Sequence, residues 1–113
     1  MLPKKNRVNK KEVDFLFKKG RSVAFPDLTF KFFMARGSES LKFLSPRVSV
    51  IVPKAIAKLA VKRNLLRRLG YSILEKHIKE FPASLLGVFI FKKYQDDVLT
   101  LEHEIKNILD KIN

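Results

Sequence analysis

The chain has 113 residues, with 24 lysines and arginines against 11 acidic residues, a net charge of +13 and no cysteine. This length suits one compact domain with one modest core, and the lack of cysteine excludes disulfides, thiolate zinc sites and a cysteine nucleophile. The longest apolar run, residues 85–91, is too short to cross a bilayer, and no apolar stretch follows the charged N-terminus as it would in a signal peptide. We therefore expect a cytoplasmic protein without a membrane partner.

The excess of positive charge is concentrated in two segments. Residues 1–21 carry eight basic and two acidic side chains, and residues 53–70 carry six basic and no acidic ones. Residues 95–113 reverse the sign, with two basic and five acidic side chains. A surface charged for solubility usually mixes the two signs, so this distribution favours a nucleic-acid-binding face and a mildly acidic back over a membrane-binding surface.

The N-terminal part is predicted to form a basic arm and a helix. Residues 1–8 are expected to be an extended arm of one RNA-binding domain that spans residues 1–113. Asn9 and Glu12 match a capping box, which predicts that a helix begins there. Gly20 is expected to end this helix in the left-handed conformation.

Two strands are predicted in the middle of the chain. Residues 28–34 alternate in character, which places Leu28, Phe30, Phe32 and Met34 on one face and Thr29, Lys31 and Phe33 on the other. Residues 47–52 are rich in β-branched side chains and end at Pro53. Residues 41–44 could extend a hairpin between the two strands.

The C-terminal half is predicted to contain a long helix over residues 57–80, a strand over residues 86–93 and a last helix over residues 97–112. Gly70 is a weak point in the long helix. The resulting order is helix-strand-strand-helix-strand-helix. We therefore predict a single-domain α+β sandwich with a central mixed sheet and helices packed on it.

The long helix divides into two halves on a helical wheel. One half is apolar and is expected to face the core; its members are Val61, Leu65, Leu66, Leu69 and Ile73. The other half, which we call the arginine stripe, consists of Arg63, Asn64, Arg67, Arg68 and Tyr71. Guanidinium groups bind phosphates in a bidentate manner, an amide can read a base edge or a 2′-hydroxyl, and a tyrosine ring can stack on a base. A solvated helix face would normally include glutamates, and residues 53–74 contain none.

Residues 58–68, KLAVKRNLLRR, resemble the A-V-x-R-N-x-x-[KR]-R signature helix of the bacterial ribonuclease P protein component. As in that family, the helix follows a strand with a basic end, here residues 50–54, and residues 15–23 resemble the family's opening. The resemblance covers nearly the whole chain. Two positions depart from the pattern, because the family usually has a basic residue at Leu65 and an arginine at Tyr71.

The resemblance implies the protein subunit of a ribonucleoprotein endonuclease that removes the 5′ leader of precursor tRNA, a subunit that does not itself catalyse the cleavage. It also implies a left-handed β-α-β crossover, against the usual preference. The implied partners are the catalytic RNA and precursor tRNA, with no protein partner required. The residues implied to dock on the catalytic RNA are Lys54, Lys58, Lys62, Arg63, Asn64, Arg67, Arg68 and Tyr71.

The same resemblance implies a cleft for the leader between the first helix and the open sheet face. The residues expected to line it are Val13, Phe17, Thr29, Lys31 and Phe33. Aromatic rings beside lysines also suit single-stranded RNA on physical grounds, although Phe33 could equally be core under a helix. Of the family's two aromatic positions in the first helix, only Phe17 is kept, and Phe15 projects away from Val13. The further residues that could contact RNA are Lys4, Lys5, Arg7, Lys11 and Phe15.

The sequence offers little for catalysis by the protein alone. His77 and His103 lie on separate predicted helices, and no nucleophilic triad, phosphate loop or carboxylate cluster is present. We therefore expect no catalytic residues, no metal site and no cofactor in the protein, and Mg²⁺ to act through the RNA. The alternative function is that of a ribosomal or ribosome-assembly protein that binds rRNA; a self-sufficient nuclease and a nonspecific DNA-binding protein are further alternatives.

Overall fold

The computed structural model describes residues 6–34 and 46–112. The elements in chain order are α1 (Lys10–Lys19), β1 (Arg21–Ala24), β2 (Leu28–Met34), β3 (Arg47–Ile51), α2 (Ala60–His77), β4 (Leu85–Phe91) and α3 (Val98–Ile112). A short 3₁₀ turn, Ile78–Glu80, follows α2. The predicted start of the basic arm, residues 1–5, and the possible hairpin extension at residues 41–44 lie outside the described residues.

The strands form one mixed sheet in the order β1-β2-β4-β3. The β1–β2 and β2–β4 pairs are antiparallel, whereas β3 and β4 run parallel and are connected through α2. The predicted α+β architecture is therefore confirmed, while the left-handed crossover stays a prediction. Strand β1 is absent from the predicted order. Its only partly buried side chain is Val23 and the other three face solvent, so the strand has no apolar alternation that a sequence pattern could reveal.

The main core fills the space between one sheet face and helices α2 and α3. The predicted alternation of β2 is confirmed, since Leu28, Phe30 and Phe32 are buried on this face. The Phe30 ring stacks on that of Phe89 in β4, with centroids 4.3 Å apart. The opposite sheet face is covered by α1, whose Leu16 packs in a smaller apolar cluster.

The first helix begins as predicted but ends differently. The capping box is formed: the Glu12 backbone N–H donates to the Asn9 side chain, and the Asn9 N–H donates to the Glu12 carboxylate, both at 2.9 Å. Gly20 is not left-handed, because its φ of −75° and ψ of 157° are those of extended backbone. The glycine is required there by close packing, since a Cβ would lie 2.6 Å from the carbonyl oxygen of Leu16.

The buried face of α2 is the predicted one only in part, since Leu66 and Ile73 are buried as predicted whereas Val61 and Leu65 are exposed. Its buried residues include Leu66, Gly70, Ile73 and Leu74, whereas Val61 is 76% exposed. Gly70 lies so close to β3 that a Cβ there would be 3.0 Å from a methyl of Val50. This contact centres the buried face on Gly70 and turns the predicted apolar half partly towards solvent. The helix is also shorter than predicted at both ends.

Candidate RNA interface

The first candidate surface is a groove between the N-terminal segment, β3 and α2. It has a volume of about 320 Å³ and is lined by Arg7, Val50, Asn64, Arg67, Arg68 and Tyr71. We call it the arginine groove. Three of its six lining residues are arginines, so it presents a concave surface of a size and charge suited to phosphates and ribose.

Two side chains of the arginine groove are held together. A guanidinium N–H of Arg67 donates to the side-chain oxygen of Asn64, one turn earlier on α2. Both side chains are exposed. Because Asn64 accepts this bond with its oxygen, its amide N–H groups are free to face the groove, where they could donate to a phosphate, a 2′-hydroxyl or a base acceptor.

Arg63, the first member of the arginine stripe, has a different setting. Its guanidinium Nη1 donates to the carbonyl oxygens of Ala57 and Lys58, at 3.0 and 2.8 Å. The side chain is only partly exposed and fastens the loop that precedes α2. Arg63 thereby fixes the backbone of the exposed Lys58.

The prediction that a base stacks on Tyr71 is wrong. Tyr71 is 9% exposed and belongs to the main core, so the faces of its ring are not available to a nucleotide. The residue still contributes to the wall of the arginine groove. The rotation of α2 explains this burial, because it moves Tyr71 from the edge of the predicted exposed half to the side that faces β3.

The N-terminal segment is anchored to β3, which places Arg7 at the arginine groove. The Asn6 amide donates to the Pro46 carbonyl oxygen at 2.9 Å, and the Val8 N–H donates to the Ser49 hydroxyl at 2.8 Å. Arg47 donates from Nε and Nη2 to the Arg7 carbonyl oxygen, at 3.2 and 3.0 Å. Residues 6–8 of the predicted arm are therefore fixed along the edge strand.

Arg47 and Ser49 had not been singled out from the sequence. Arg47 also pairs with Glu12 of α1 at 2.8 Å, so one guanidinium joins the N-terminal segment, α1 and β3. Both residues also line a second hollow, of about 470 Å³, that adjoins the arginine groove through Arg7 and Tyr71. The alternation along β3 indicates that Arg47 and Ser49 face away from the main core. It does not reveal their hydrogen-bond partners, which lie 35 to 41 positions earlier in the chain.

The second candidate surface lies where α1 crosses the other face of the sheet, and we call it the α1 cleft. Phe17 is 48% exposed, and the Lys31 ammonium lies 5.1 Å from the centre of its ring. Thr29 is two residues from Lys31 on the same strand face, and Val13 packs on the same apolar cluster as Leu16. Among the predicted cleft residues, the structure thus brings Phe17 and Lys31 into direct contact.

Phe33, the fifth predicted cleft residue, packs on the same apolar cluster as Val13 and also contacts Phe15. Its ring packs edge-on against Phe15, with centroids 5.2 Å apart. Phe15 and Phe17 are two positions apart, which separates them by roughly 200° around a helix. Phe33 therefore extends the cluster towards the side of α1 that carries Phe15, and its place in the leader cleft stays a prediction.

Two residues that the sequence analysis missed lie on the floor of the α1 cleft. Ile90 and Ile51 are partly buried and follow Thr29 across the sheet in adjacent strands. Both pack on the apolar cluster beneath α1. The period of two in their strands could have identified them, since both face away from the main core.

The remaining predicted RNA contacts are distributed over the surface. Lys11, Lys54, Lys58 and Lys62 are exposed. Lys4 and Lys5 lie outside the described residues. Among the residues that the structure describes, no three His, Cys, Asp or Glu side chains come together in a way that could hold a metal ion. Within the same residues, no helix has the length and apolar character needed to cross a membrane.

A family model described as Ribonuclease P matches residues 2–113. The chain belongs to the ribonuclease P protein family. This places it among the protein subunits of a tRNA-processing endoribonuclease that is a ribonucleoprotein, and the match does not favour the alternative of a ribosomal protein.

Solved structures of ribonuclease P proteins have the same fold. The chain is 20% identical to the RNase P protein from Thermotoga maritima, with a TM-score of 0.76, and the match covers 92% of this chain and 96% of that one. It is 18% identical to the RNase P protein of Staphylococcus aureus, with a TM-score of 0.77 and coverage of 96% and 95%. No curated protein sequence matches this chain.

Proposed function

We propose that the chain is a non-catalytic protein subunit that binds the RNase P RNA through the arginine groove and the 5′ leader of precursor tRNA through the α1 cleft. The observation that carries this proposal is the placement of two RNA-compatible surfaces at different parts of one sheet, one at its β3 edge beside α2 and one on the face that α1 crosses. The arginine groove borders α2, whereas the α1 cleft lies across the face that α1 covers. A protein built in this way can hold two RNA segments at once without competition between them.

The arginine groove supports the docking role through its chemistry. Arg67 and Arg68 project from one helix, and Arg7 approaches from the N-terminal segment. Cations from two elements can contact phosphates on both sides of an RNA backbone, and each neutralised phosphate releases counterions. Residues 53–74, which include Arg67 and Arg68, contain no carboxylate.

The α1 cleft supports the leader role, because it combines a half-exposed ring with a cation. Phe17 offers a face on which an unpaired base can stack, and Lys31 lies beside it. Thr29 adds a hydroxyl, and Ile51 and Ile90 provide an apolar floor. Such a surface, a ring beside a cation, suits single-stranded RNA.

The chemistry of cleavage is assigned to the RNA subunit. The proposal gives the protein no general acid or base, and the divalent ions of the reaction are held by the RNA. The protein contributes binding and positioning of the substrate. We expect it to act in the cytoplasm with the RNase P RNA and precursor tRNA as partners.

Reconstitution with a bacterial RNase P RNA tests this function. The protein should restore accurate 5′ cleavage of precursor tRNA at a magnesium concentration at which the RNA alone is inactive. The protein without RNA should cleave nothing at any magnesium concentration. A protein that fails to stimulate the RNA, or that cleaves precursor tRNA by itself, would refute the proposal.

A further inference from the structure

Three aliphatic side chains at the start of α2 face solvent. Leu59 is 67% exposed, Val61 is 76% exposed and Leu65 is 39% exposed. Val61 and Leu65 are four positions apart on the same helix, so they lie next to each other on its surface. We call Val61 and Leu65 the aliphatic ledge; Leu59 lies just before the helix. Adjacent aliphatic side chains form an apolar patch, and a partner that covers it gains free energy from the apolar area removed from water.

The ledge is surrounded by positive charge. Lys58 and Lys62 are exposed beside it, and Arg68 follows on the adjacent part of the helix surface. The nearest carboxylate along the chain after Pro53 is Glu75. A second copy of the chain would bring these cations against one another, which opposes dimerisation through the ledge. A polyanion with an apolar surface of its own fits the ledge better.

We propose that the aliphatic ledge packs against the face of an unpaired nucleotide in the RNase P RNA, while Lys58 and Lys62 contact the flanking phosphates. The inference rests on the proposed function, since it extends the docking surface around α2. Asn64, Arg67 and Arg68 line the arginine groove on one side of the helix, and Val61 and Leu65 lie on the neighbouring side. One RNA could therefore contact both surfaces, with phosphates in the groove and a base on the ledge.

The leader of precursor tRNA is the less suitable occupant. The ledge lies on α2, which packs on the main core face of the sheet, whereas the α1 cleft is on the other face. A leader held beside Phe17 would have to pass around the sheet to reach Val61. The RNA that docks along α2 meets the ledge directly.

The test compares Val61→Gln with Leu99→Gln in binding to the RNase P RNA. Leu99 is 69% exposed at the start of α3, near Asp96 and Glu102, so it matches Val61 in exposure but not in surrounding charge. Glutamine is a good helix former, and neither position is buried, so both variants should fold. Circular dichroism and a thermal melt of each variant are the controls for folding.

We expect Val61→Gln to weaken binding about tenfold, as for the loss of one buried apolar contact, and Leu99→Gln to bind as the wild type does. The loss should be the same at every salt concentration, because an apolar contact releases no counterions. Lys62→Ala should instead reduce the slope of affinity against salt. Unchanged affinity of Val61→Gln, or equal losses at Val61 and Leu99, would overturn the inference.

Cross-linking identifies the occupant. The chain has no cysteine, so Val61→Cys and Leu99→Cys can each carry a photoreactive group at a single site. Position 61 should cross-link to unpaired nucleotides of the RNase P RNA, and position 99 should not. Three outcomes would each assign the ledge to another partner. Cross-links to precursor tRNA would assign it to the substrate, and a wild-type dimer that Val61→Gln dissociates would assign it to a second copy of the chain. Wild-type binding to anionic vesicles that Val61→Gln loses would assign it to a membrane surface. A wild-type protein that cannot stimulate the RNA would refute the proposed function itself, whereas normal stimulation with an unaffected Val61→Gln variant would refute the ledge alone.

Discussion

Protonation of Glu104 should control the stability of the β1–β2 hairpin. Its carboxylate on α3 accepts hydrogen bonds from the backbone N–H groups of Asp27 and Leu28, at 3.2 and 3.1 Å, in the turn between the two strands. The residue is 7% exposed. Burial, together with a side-chain hydrogen bond to Asp27, raises the pKa of Glu104 to about 7. The turn also carries two cations, since Lys92 donates from Nζ to the Phe25 carbonyl oxygen and Lys111 lies 5.3 Å from the centre of the Phe25 ring.

The sign of the effect follows from this raised pKa. The folded protein binds the proton of Glu104 more tightly than the unfolded chain, in which the pKa is about 4.5. The resulting stabilisation is complete below pH 4.5 and is lost as the pH rises through about 7. A change from 4.5 to about 7 sets an upper limit of about 3.5 kcal/mol, at ~1.4 kcal/mol per pH unit. Relaxation of the turn and entry of water around the charged carboxylate reduce this to about 1–2 kcal/mol.

Thermal melts between pH 4.5 and 8 measure the effect. At about 4 °C per kcal/mol for a domain of this size, the wild-type Tm should fall by roughly 4–8 °C because of this group. Glu104→Gln keeps the side-chain volume and one acceptor oxygen but cannot titrate, so its Tm should not show this fall between pH 4.5 and 8. Asp110→Asn, which removes an exposed carboxylate from the same helix, should retain it. A Glu104→Gln variant whose Tm depends on pH as the wild type's does would show that the reasoning is wrong.

Three further predictions concern stability and salt dependence. Burial lowers the pKa of His77, but hydrogen bonds to two glutamates, one of them on α3, outweigh burial and raise the pKa overall. His77→Gln should therefore destabilise the folded protein most at pH 5–6. The difference in Tm from the wild type should shrink as the pH rises through the raised pKa. Gly87→Ala should cost about 1–3 kcal/mol in chemical denaturation, because its Cβ would lie 2.5 Å from ring atoms of Phe30; full stability would contradict this packing. Arg67→Ala should reduce the slope of log affinity for RNase P RNA against log salt by about 0.7–0.9, whereas Lys111→Ala on α3 should leave it unchanged.

The sequence predicted those elements whose signals are local. The Asn9–Glu12 capping box fixed the start of α1, and the alternation of β2 identified the buried face of that strand. Both depend on neighbours within a few positions. The segregation of charge likewise indicated an RNA-binding protein, because the positions of basic and acidic residues along the chain require no knowledge of tertiary contacts.

The orientation of α2 could not be predicted in the same way. The helix carries aliphatic side chains on two faces, and the sequence pattern alone gives no reason to bury Leu66 rather than Val61. The close approach of Gly70 to Val50 decides between them, and this contact joins residues 20 positions apart. The burial of Tyr71 follows from the same rotation. The position of Phe33 depended on how α1 crosses the sheet, which is likewise a tertiary property.

The dependence of substrate affinity on leader length tests whether the α1 cleft binds the leader while the arginine groove binds the RNA subunit. Holoenzymes reconstituted with wild-type protein, Phe17→Ala or Arg67→Ala would be compared on precursor tRNA with a leader of several nucleotides and on leaderless tRNA. We expect Phe17→Ala to lose about 1–3 kcal/mol of binding free energy for precursor tRNA with the long leader only. Binding of this variant to the RNA subunit should be unchanged. We expect Arg67→Ala to weaken binding of the protein to the RNA subunit whether or not a leader is present. A well-folded Phe17→Ala variant that preserves the wild-type preference for the long leader would contradict the assignment of the α1 cleft to the leader.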